Sequence, residues 1–241
     1  MAREPKADSR HYLIDGERVV RVSTVLSVIS KPGLMFWYGK WGMQECRRQS
    51  QVATDFGTRF HKCMELHAQG SLLPWDIDPD IAPHVDSARR WFDRHVAEVV
   101  AIERRVHSRR HGFAGTADLI ARLRDVEGVP EDVPVACDWK TSKDIAWEYG
   151  LQLSAYLEAS REEGHPIGDD RVVLWAPREP EDRPLGSFEA RVLPRDEHAE
   201  DWAAFLHARG LWTTFDARER RAKAAWAARK RAAERNRRLA S

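Results

Sequence analysis

Hydrophobic residues recur at every second position in some segments of the chain and at every third or fourth position in others, a pattern typical of proteins that mix strands and helices. Helical periodicity is predicted over residues 25–30, 34–46, 51–69, 84–97, 144–163, 196–209 and 211–239. Alternating or continuous apolar segments predict strands at residues 11–15, 18–22, 99–108, 113–123, 135–140, 171–176 and 188–193. The first two strands flank Asp15-Gly16, a pair of residues typical of a hairpin turn.

This order predicts an α/β (mixed α+β) fold with an α-β-β-β-α-β core over about residues 51–194. Three successive strands with short connections favour an antiparallel meander, and the helix that begins at Asp144 then crosses over to a further strand. We therefore expect a mixed central sheet flanked by helices, with an N-terminal helical elaboration. A single domain over residues 11–215 is expected to follow a disordered stretch at residues 1–10 and to precede a basic helical tail at residues 216–241.

The length and composition of the chain limit the classes of protein to which it can belong. At 241 residues, 42% of them hydrophobic, it can bury one sizeable core. No apolar run reaches the roughly 18 residues that suggest a membrane span, and residues 1–10 lack the apolar centre of a signal peptide. The scattered cysteines, Cys46, Cys63 and Cys137, have no zinc spacing, so a reduced cytoplasmic setting is the simplest interpretation.

The formal net charge is only +1, but it is unevenly distributed along the chain. Residues 216–241 contain ten Lys or Arg and three Asp or Glu, a net charge of +7, so the remaining chain carries −6. Such an asymmetry is typical of a protein with a polyanionic partner. A solvated helix with internal salt bridges, or a helix that packs on a partner or on a second subunit, would explain the tail as well.

A carboxylate and an ammonium lie side by side at the end of the apolar strand predicted at residues 135–140. Side chains alternate between the two faces of a strand, so Asp138 and Lys140 share one face while Val135, Cys137 and Trp139 share the other. Burying charge is unfavourable unless the charges pair or bind a metal. The pair therefore indicates a site that has a chemical role.

Other polar residues are expected close to this strand. Asp118 lies on the preceding strand just after Gly115, Glu103 lies one strand earlier, and His61 and Glu65 are one turn apart on the helix at residues 51–69. Carboxylates suit Mg²⁺ and Mn²⁺, and an imidazole fits Mn²⁺ better. Each residue alone has an ordinary structural explanation, but their order along the chain favours a metal site that clamps a phosphodiester. There Lys140 can orient a water and Gln152 can hold that water or a phosphate oxygen.

At these residues the chain resembles the PD-(D/E)XK nuclease superfamily, and within it the RecB-like exonuclease branch. The motifs that carry the resemblance are an acidic residue after a glycine-containing turn (Asp118), the (D/E)-x-K triplet (Asp138-Trp139-Lys140, followed by Thr141-Ser142), QxxxY (Gln152 to Tyr156) and a histidine preceded by a glycine (Gly57 to His61). The stretches Ser23-Thr24-Val25-Leu26 and Lys31-Pro32 are similar to phage-encoded members. The resemblance covers roughly residues 22–176.

The resemblance implies a role for each of these residues. The implied metal ligands are His61, Asp118, Asp138 and the carbonyl of Trp139. The implied catalytic residues are Lys140, Asp118, Asp138, Gln152 and Tyr156. Glu65 and Glu103 are implied only as supporting residues around the ligands. Some relatives bind an iron–sulfur cluster through four cysteines, and because this chain has three, no cluster is expected.

The function implied is that of a metal-dependent DNA exonuclease that uses Mg²⁺ or Mn²⁺ and serves phage recombination or DNA turnover in the host cytoplasm. Its expected partners are single- or double-stranded DNA and a recombination protein, without a membrane. One alternative is a structure-selective endonuclease on the same fold. Another is a non-catalytic protein that binds nucleic acid or assists assembly.

Two regions outside the metal site are candidates for contact with DNA. The basic tail can follow the phosphate backbone without reading sequence. Its cations are Arg218, Arg220, Arg221, Lys223, Arg229, Lys230, Arg231, Arg235, Arg237 and Arg238. The aromatic residues Phe36, Trp37, Tyr38 and Trp41 can stack on unpaired bases, although such a cluster is more often part of a core.

Overall fold

The structure is a computed structural model and describes residues 8–29, 31–179 and 182–239. Its strands are β1 (His11–Ile14), β2 (Glu17–Arg21), β3 (Val96–Ser108), β4 (Phe113–Leu123), β5 (Val135–Lys140), β6 (Arg171–Trp175) and β7 (Glu189–Leu193). Its helices are α1 (Val22–Leu26), α2 (Pro32–Ala68), α3 (Ala82–His95), α4 (Glu148–Glu162) and α5 (His198–Leu239). The described residues contain no helix with the length and apolar character that a membrane span requires.

All seven strands belong to one mixed sheet with the order β1-β2-β4-β5-β6-β7, and β3 pairs with β4. The pairs β3–β4 and β4–β5 are antiparallel, whereas β5 and β6 are parallel and are connected through α4. A parallel pair needs such a crossover because its strands start at the same edge of the sheet. The predicted α-β-β-β-α-β core and the mixed α/β class are therefore confirmed.

The strand β4 is the central support of the site because it pairs with three neighbours, β2, β3 and β5. β3 pairs along nearly all of β4, whereas β2 pairs only near Phe113 and β5 only near Leu119 to Ala121. A strand has two edges, so β2 and β5 must share the edge opposite β3. Residues 115–118 of β4 lie in the gap between them, and Asp118 is at the end of this gap.

The sheet separates two main hydrophobic clusters. One contains residues of α2 and α3, and the other contains residues of α1, α4 and α5. The strand β5 divides between its faces as predicted. Val135, Cys137 and Trp139 belong to the cluster of α2 and α3, and Ala136 packs with Leu153 of α4 on the other side.

Several predicted helix boundaries are wrong. The predicted helices at residues 196–209 and 211–239 are one helix, α5, because Phe205, Ala208 and Trp212 are buried on one continuous face across Gly210. Isolated glycines are tolerated inside helices. α1 begins at Val22 rather than at residue 25, and α4 begins at Glu148 rather than at residue 144.

The predicted helices at residues 34–46 and 51–69 belong to one assigned helix, α2, which changes direction at Gly42. Gly42 has φ 75° and ψ 159°, a conformation essentially restricted to glycine. Beyond this turn the chain folds back, since Trp37 Nε1 donates to Gln49 Oε1 at 3.3 Å and the thiol of Cys46 contacts the Trp37 carbonyl at 3.5 Å. We call this helical hairpin, residues 32–52, the arm.

The turn of the arm gives a direct stability prediction. A Cβ at Gly42 meets no atom within 4 Å, so Gly42→Ala should act through backbone strain alone and destabilise the arm by about 1–3 kcal/mol. Gly39 is helical and equally open, so the matched Gly39→Ala should instead stabilise by about 0.5–1 kcal/mol. Urea unfolding and hydrogen exchange of the arm amides measure both effects. Equal effects of the two substitutions would contradict the assigned turn.

Candidate metal centre

Helix α2 carries His61 at the edge of its buried face. Phe56, Phe60 and Met64 are buried against the sheet, which fixes the rotation of the helix and leaves the side chain of His61 30% exposed. The helix can approach the end of β5 closely because residue 57 is a glycine. A Cβ at Gly57 would lie only 3.2 Å from the hydroxyl of Thr141.

Asp138 and Lys140 form a close ion pair at the end of β5, as their shared face predicts. Asp138 is 1% exposed, and the Lys140 side chain is 15% exposed. The ring of Tyr149 lies 4.8 Å from Nζ of Lys140 and covers the ammonium. Apart from the ion pair, Oδ2 of Asp138 has no hydrogen-bond partner among the described residues.

The side chain of Gln152 joins Asp138 to Tyr156. Its amide nitrogen donates to Oδ1 of Asp138 at 3.3 Å and to the Tyr156 hydroxyl at 2.8 Å. The ring of Tyr156 occupies space that only a glycine leaves, because a Cβ at Gly115 would lie 2.2 Å from it. The glycine before Asp118 therefore seats the tyrosine of the QxxxY motif.

Asp118 faces β5 across the gap in the edge of β4. Its Oδ2 accepts a hydrogen bond from the backbone N–H of Trp139 at 2.9 Å and lies 3.4 Å from Nδ1 of His61. The ring of Trp139 is buried in the core, so only the backbone of this residue faces the site. Asp118 thus contacts both the end of β5, through Trp139, and helix α2, through His61.

Glu103 joins His61 and Asp118 in a cluster whose candidate ligand atoms all lie within 4.8 Å of one another. The register of β3 and β4 places Glu103 opposite Asp118, between the pairs Ile102–Leu119 and Arg104–Ala117. Glu103 has φ 46°, a left-handed conformation that costs about 1–3 kcal/mol for a residue other than glycine. The sequence indicated Glu103 only as a supporting residue, because this backbone conformation leaves no mark in the sequence pattern.

Glu65 lies one turn beyond His61 and lines the same open cavity. Its carboxylate pairs with Lys62 at 2.9 Å and accepts a hydrogen bond from Gln69 at 3.2 Å. It is therefore already engaged on its own helix and does not belong to the cluster of His61, Glu103 and Asp118.

Burial sets the protonation of the site. Desolvation raises the pKa of Asp118 to about 6 and that of Asp138 to about 6, although the Lys140 ammonium opposes the shift. Desolvation, together with the charge of Lys140, lowers the pKa of His61 to about 4. Burial by itself lowers the pKa of Lys140, but the two aspartates outweigh burial and raise it. Near neutral pH Asp118 and Asp138 are therefore carboxylates, His61 is a neutral imidazole and Lys140 is an ammonium.

These groups fit a divalent cation. Metal binding requires ionised carboxylates and a neutral imidazole, which is the protonation state near neutral pH. Oxygen and nitrogen ligands of octahedral Mg²⁺ lie about 3 Å apart when adjacent and about 4 Å apart when opposite. Nδ1 of His61 and Oδ2 of Asp118 are 3.4 Å apart, and the candidate ligand atoms of His61, Glu103 and Asp118 all lie within 4.8 Å of one another, so small adjustments of the side chains bring them to these separations. Asp138 lies beside them, and among the described residues its Oδ2 has Lys140 as its only partner.

A family model described as the PD-(D/E)XK nuclease superfamily matches residues 36–234. The chain belongs to this superfamily. No curated protein matches the sequence. Membership agrees with the mixed sheet and with the position of Asp138 and Lys140 at the end of β5. Nucleases of this superfamily use divalent metal ions, and the donor set around His61 is consistent with that chemistry.

The basic tail does not join the site. The eight cations Arg218, Arg220, Arg221, Lys223, Arg229, Lys230, Arg231 and Arg235 are exposed on the last turns of α5. Arg220 pairs with Asp216 at 2.6 Å and Lys223 pairs with Glu219 at 2.5 Å. The side chains of Arg237 and Arg238 lie outside the described residues.

The metal centre gives a binding prediction. Asp138→Asn and Glu103→Gln should each weaken Mn²⁺ binding by at least about tenfold, because each replaces a negatively charged carboxylate at the metal centre with a neutral amide. Isothermal titration calorimetry of the purified variants measures the affinity. Glu98→Gln is the matched control, since Glu98 is also on β3 but pairs with Arg122. Unchanged affinity in either test variant would remove that residue from the centre.

Proposed function

We propose that this protein is a metal-dependent DNA exonuclease of the RecB-like branch. The observation that carries the proposal is the buried Asp138–Lys140 pair, which lies beside Asp118 and is tied to Tyr156 through Gln152. A nuclease needs carboxylates for a metal and a cation close to the attacking water, and both are present within one small volume. The motifs of the RecB-like branch, Gln152 to Tyr156 and Gly57 to His61, favour that branch.

The residues of the site divide the chemistry between them. A bound Mg²⁺ or Mn²⁺ would polarise the phosphoryl oxygen and supply an acidic water. His61, Asp118, Asp138 and the carbonyl of Trp139 would hold it, with Glu103 as a further donor. Lys140 remains an ammonium, so it can orient a water by donating a hydrogen bond and neutralise charge that develops on the phosphate.

Gln152 fits a positioning role for Asp138. Both N–H groups of its side-chain amide donate hydrogen bonds within the protein, one to Asp138 and one to Tyr156. Only its carbonyl oxygen therefore remains to accept a hydrogen bond from a water. A phosphate oxygen, which is itself an acceptor, needs a different donor.

Two other functions fit the same fold. A structure-selective endonuclease would use the same residues, and differs in how the substrate reaches them. A non-catalytic nucleic-acid-binding or assembly protein would have no need of the full set of acids and the lysine. The chain retains Asp118, Asp138 and Lys140, and its strained Glu103 faces the same cavity, which favours an enzyme.

The biological setting is part of the proposal. The N-terminal motifs similar to phage-encoded members favour a role in phage recombination or DNA turnover in the host cytoplasm. A recombination protein is the partner that such a role requires. The substrate is DNA.

The test compares end-labelled linear DNA with circular DNA in Mg²⁺ or Mn²⁺. The wild-type protein should shorten linear DNA progressively from an end and leave circles intact. Lys140→Ala should lower the rate by at least about a hundredfold, because an ammonium that stabilises the transition state is lost. Arg122→Ala, which removes a half-buried cation on β4 that pairs with Glu98, should cleave at the wild-type rate.

Each other outcome supports a different function. Cleavage of circles by wild type but not by Lys140→Ala supports the endonuclease. Binding of DNA with no cleavage in either metal supports the non-catalytic protein. Equal cleavage by wild type and Lys140→Ala would remove Lys140 from the mechanism.

The basic tail is proposed to contact the phosphate backbone. From Arg218 to Arg235 the helix is about 26 Å long and its cations are exposed. Arg229, Arg231 and Arg235 have no carboxylate partner in the part of the chain that the structure describes. Unpaired cations along one helix can bind phosphates without reading the bases.

Truncation after Phe215 tests this role. The shortened protein should bind DNA more weakly, and its affinity should depend less on salt, because fewer counterions are released on binding. Fluorescence anisotropy over a series of salt concentrations measures both quantities, and calorimetry with Mn²⁺ checks that the metal centre is intact. An unchanged salt slope would show that the tail serves another purpose, such as contact with a partner protein.

A further inference from the structure

The arm is attached to the body at both ends beside the metal centre. At its start, Lys31 forms an ion pair with Glu148 at 2.5 Å, and Glu148 is adjacent to Tyr149, whose ring covers Lys140. At its end, α2 continues directly into Ala53, which lines the cavity of His61. A long substrate that occupies this cavity would pass along the arm.

One face of α2 continues from His61 into the arm. Thr58, Thr54, Arg47 and Met43 precede His61 by 3, 7, 14 and 18 residues, which are close to whole numbers of helical turns. The only non-helical residue inside α2 is Gly42, so the helix is regular over this stretch. The four side chains are exposed and extend the line of His61 by about 27 Å.

The arm carries positive charge on a body that is otherwise acidic. Residues 32–52 contain three Lys or Arg and one Glu, so the chain outside the arm and the tail has a net charge of −8. Arg47 lies on the face of His61 and has no carboxylate partner among the described residues. Arg48 points to a different side of the helix and is engaged by Glu45 at 2.6 Å. Arg47 is therefore a cation available to an anionic ligand.

Large apolar side chains are exposed on the same arm. Phe36 is 81% exposed, Trp41 is 50% exposed and Met43 is 57% exposed. Trp147, next to the anchor at Glu148, is 64% exposed. A group of exposed aromatic residues marks a binding surface, and beside cations it fits bases and phosphates. Bases offer their flat faces to aromatic rings only when they are unpaired.

We infer that the arm guides a single nucleic-acid strand into the metal centre. Arg47 contacts a phosphate of that strand, and Phe36 and Trp41 stack on its unpaired bases. This inference rests on the proposed nuclease function and narrows its substrate to single strands or single-stranded ends. The arm does not read sequence, because stacking and phosphate contacts are available on every nucleotide.

The test measures binding separately from cleavage. Fluorescence anisotropy with labelled poly(dT), and with a blunt duplex, is recorded in EDTA. The double variant Phe36→Ala, Trp41→Ala should lose at least about fivefold in affinity for poly(dT) and little for the duplex. Trp41→Phe with Phe36 intact should restore most of the affinity, since it keeps a ring. Arg47→Ala should also weaken binding and lower the salt slope by about 1.

Two matched controls separate the arm from general surface effects. Arg48→Ala removes a neighbouring cation that Glu45 already engages, and it should bind poly(dT) as the wild type does. Trp75→Ala removes a tryptophan that is 77% exposed, more than Trp41, and it too should leave binding unchanged. Trp75 precedes Asp76, whose carbonyl contacts the thiol of Cys63 on the side of α2 opposite His61.

The outcomes keep this inference distinct from the proposed function. If the wild type cleaves single strands and the arm variants bind and cleave them equally well, the inference is wrong and the nuclease stands. If the wild type cleaves nothing, the nuclease is wrong, and the poly(dT) affinities still decide whether the arm binds a strand. If light scattering finds that the arm variants dissociate an oligomer while poly(dT) binding is unchanged, the arm is a contact between copies and the inference is overturned.

Discussion

The ion pair of Asp138 and Lys140 is the interaction on which the rest of the site depends. Two opposite charges at the end of a buried strand are tolerated because each satisfies the other, and because Tyr149 and Gln152 add contacts on either side. The same burial raises the pKa of Asp138 to about 6, so this carboxyl group titrates close to neutral pH, while Lys140 stays charged. The buried ion pair is unfavourable for stability, but it places a carboxylate and an ammonium in the ionised forms that a metal site needs.

Two glycines allow the surrounding helices to pack closely around this ion pair. Gly57 allows α2 to approach Thr141 at the end of β5, and Gly115 leaves the space that the ring of Tyr156 fills. These approaches bring His61 and Gln152 to the site from opposite sides of the sheet, since α2 and α4 belong to different hydrophobic clusters. The site is therefore assembled by packing around a strand end, and not by one loop.

Charge is divided over the molecule in a way that suits a polyanion. The body that surrounds the carboxylates is acidic, whereas the arm and the tail of α5 carry the excess of cations. Acidic surroundings favour a metal ion but repel a nucleic acid, so attraction of the substrate must come from other regions. The arm, which is attached beside the site, and the exposed helix at the end of the chain both have that character.

The sequence by itself determined the order of elements, the faces of β5 and the motif residues, because period and local composition are properties of short segments. It did not determine that β2 and β5 share one edge of β4, that α2 folds back at Gly42, or that α5 continues through Gly210. It also predicted Glu103 only as a supporting residue around the metal ligands. Its place beside His61 and Asp118 follows from the pairing of β3 with β4 and from a left-handed backbone, which only contacts between distant segments can fix.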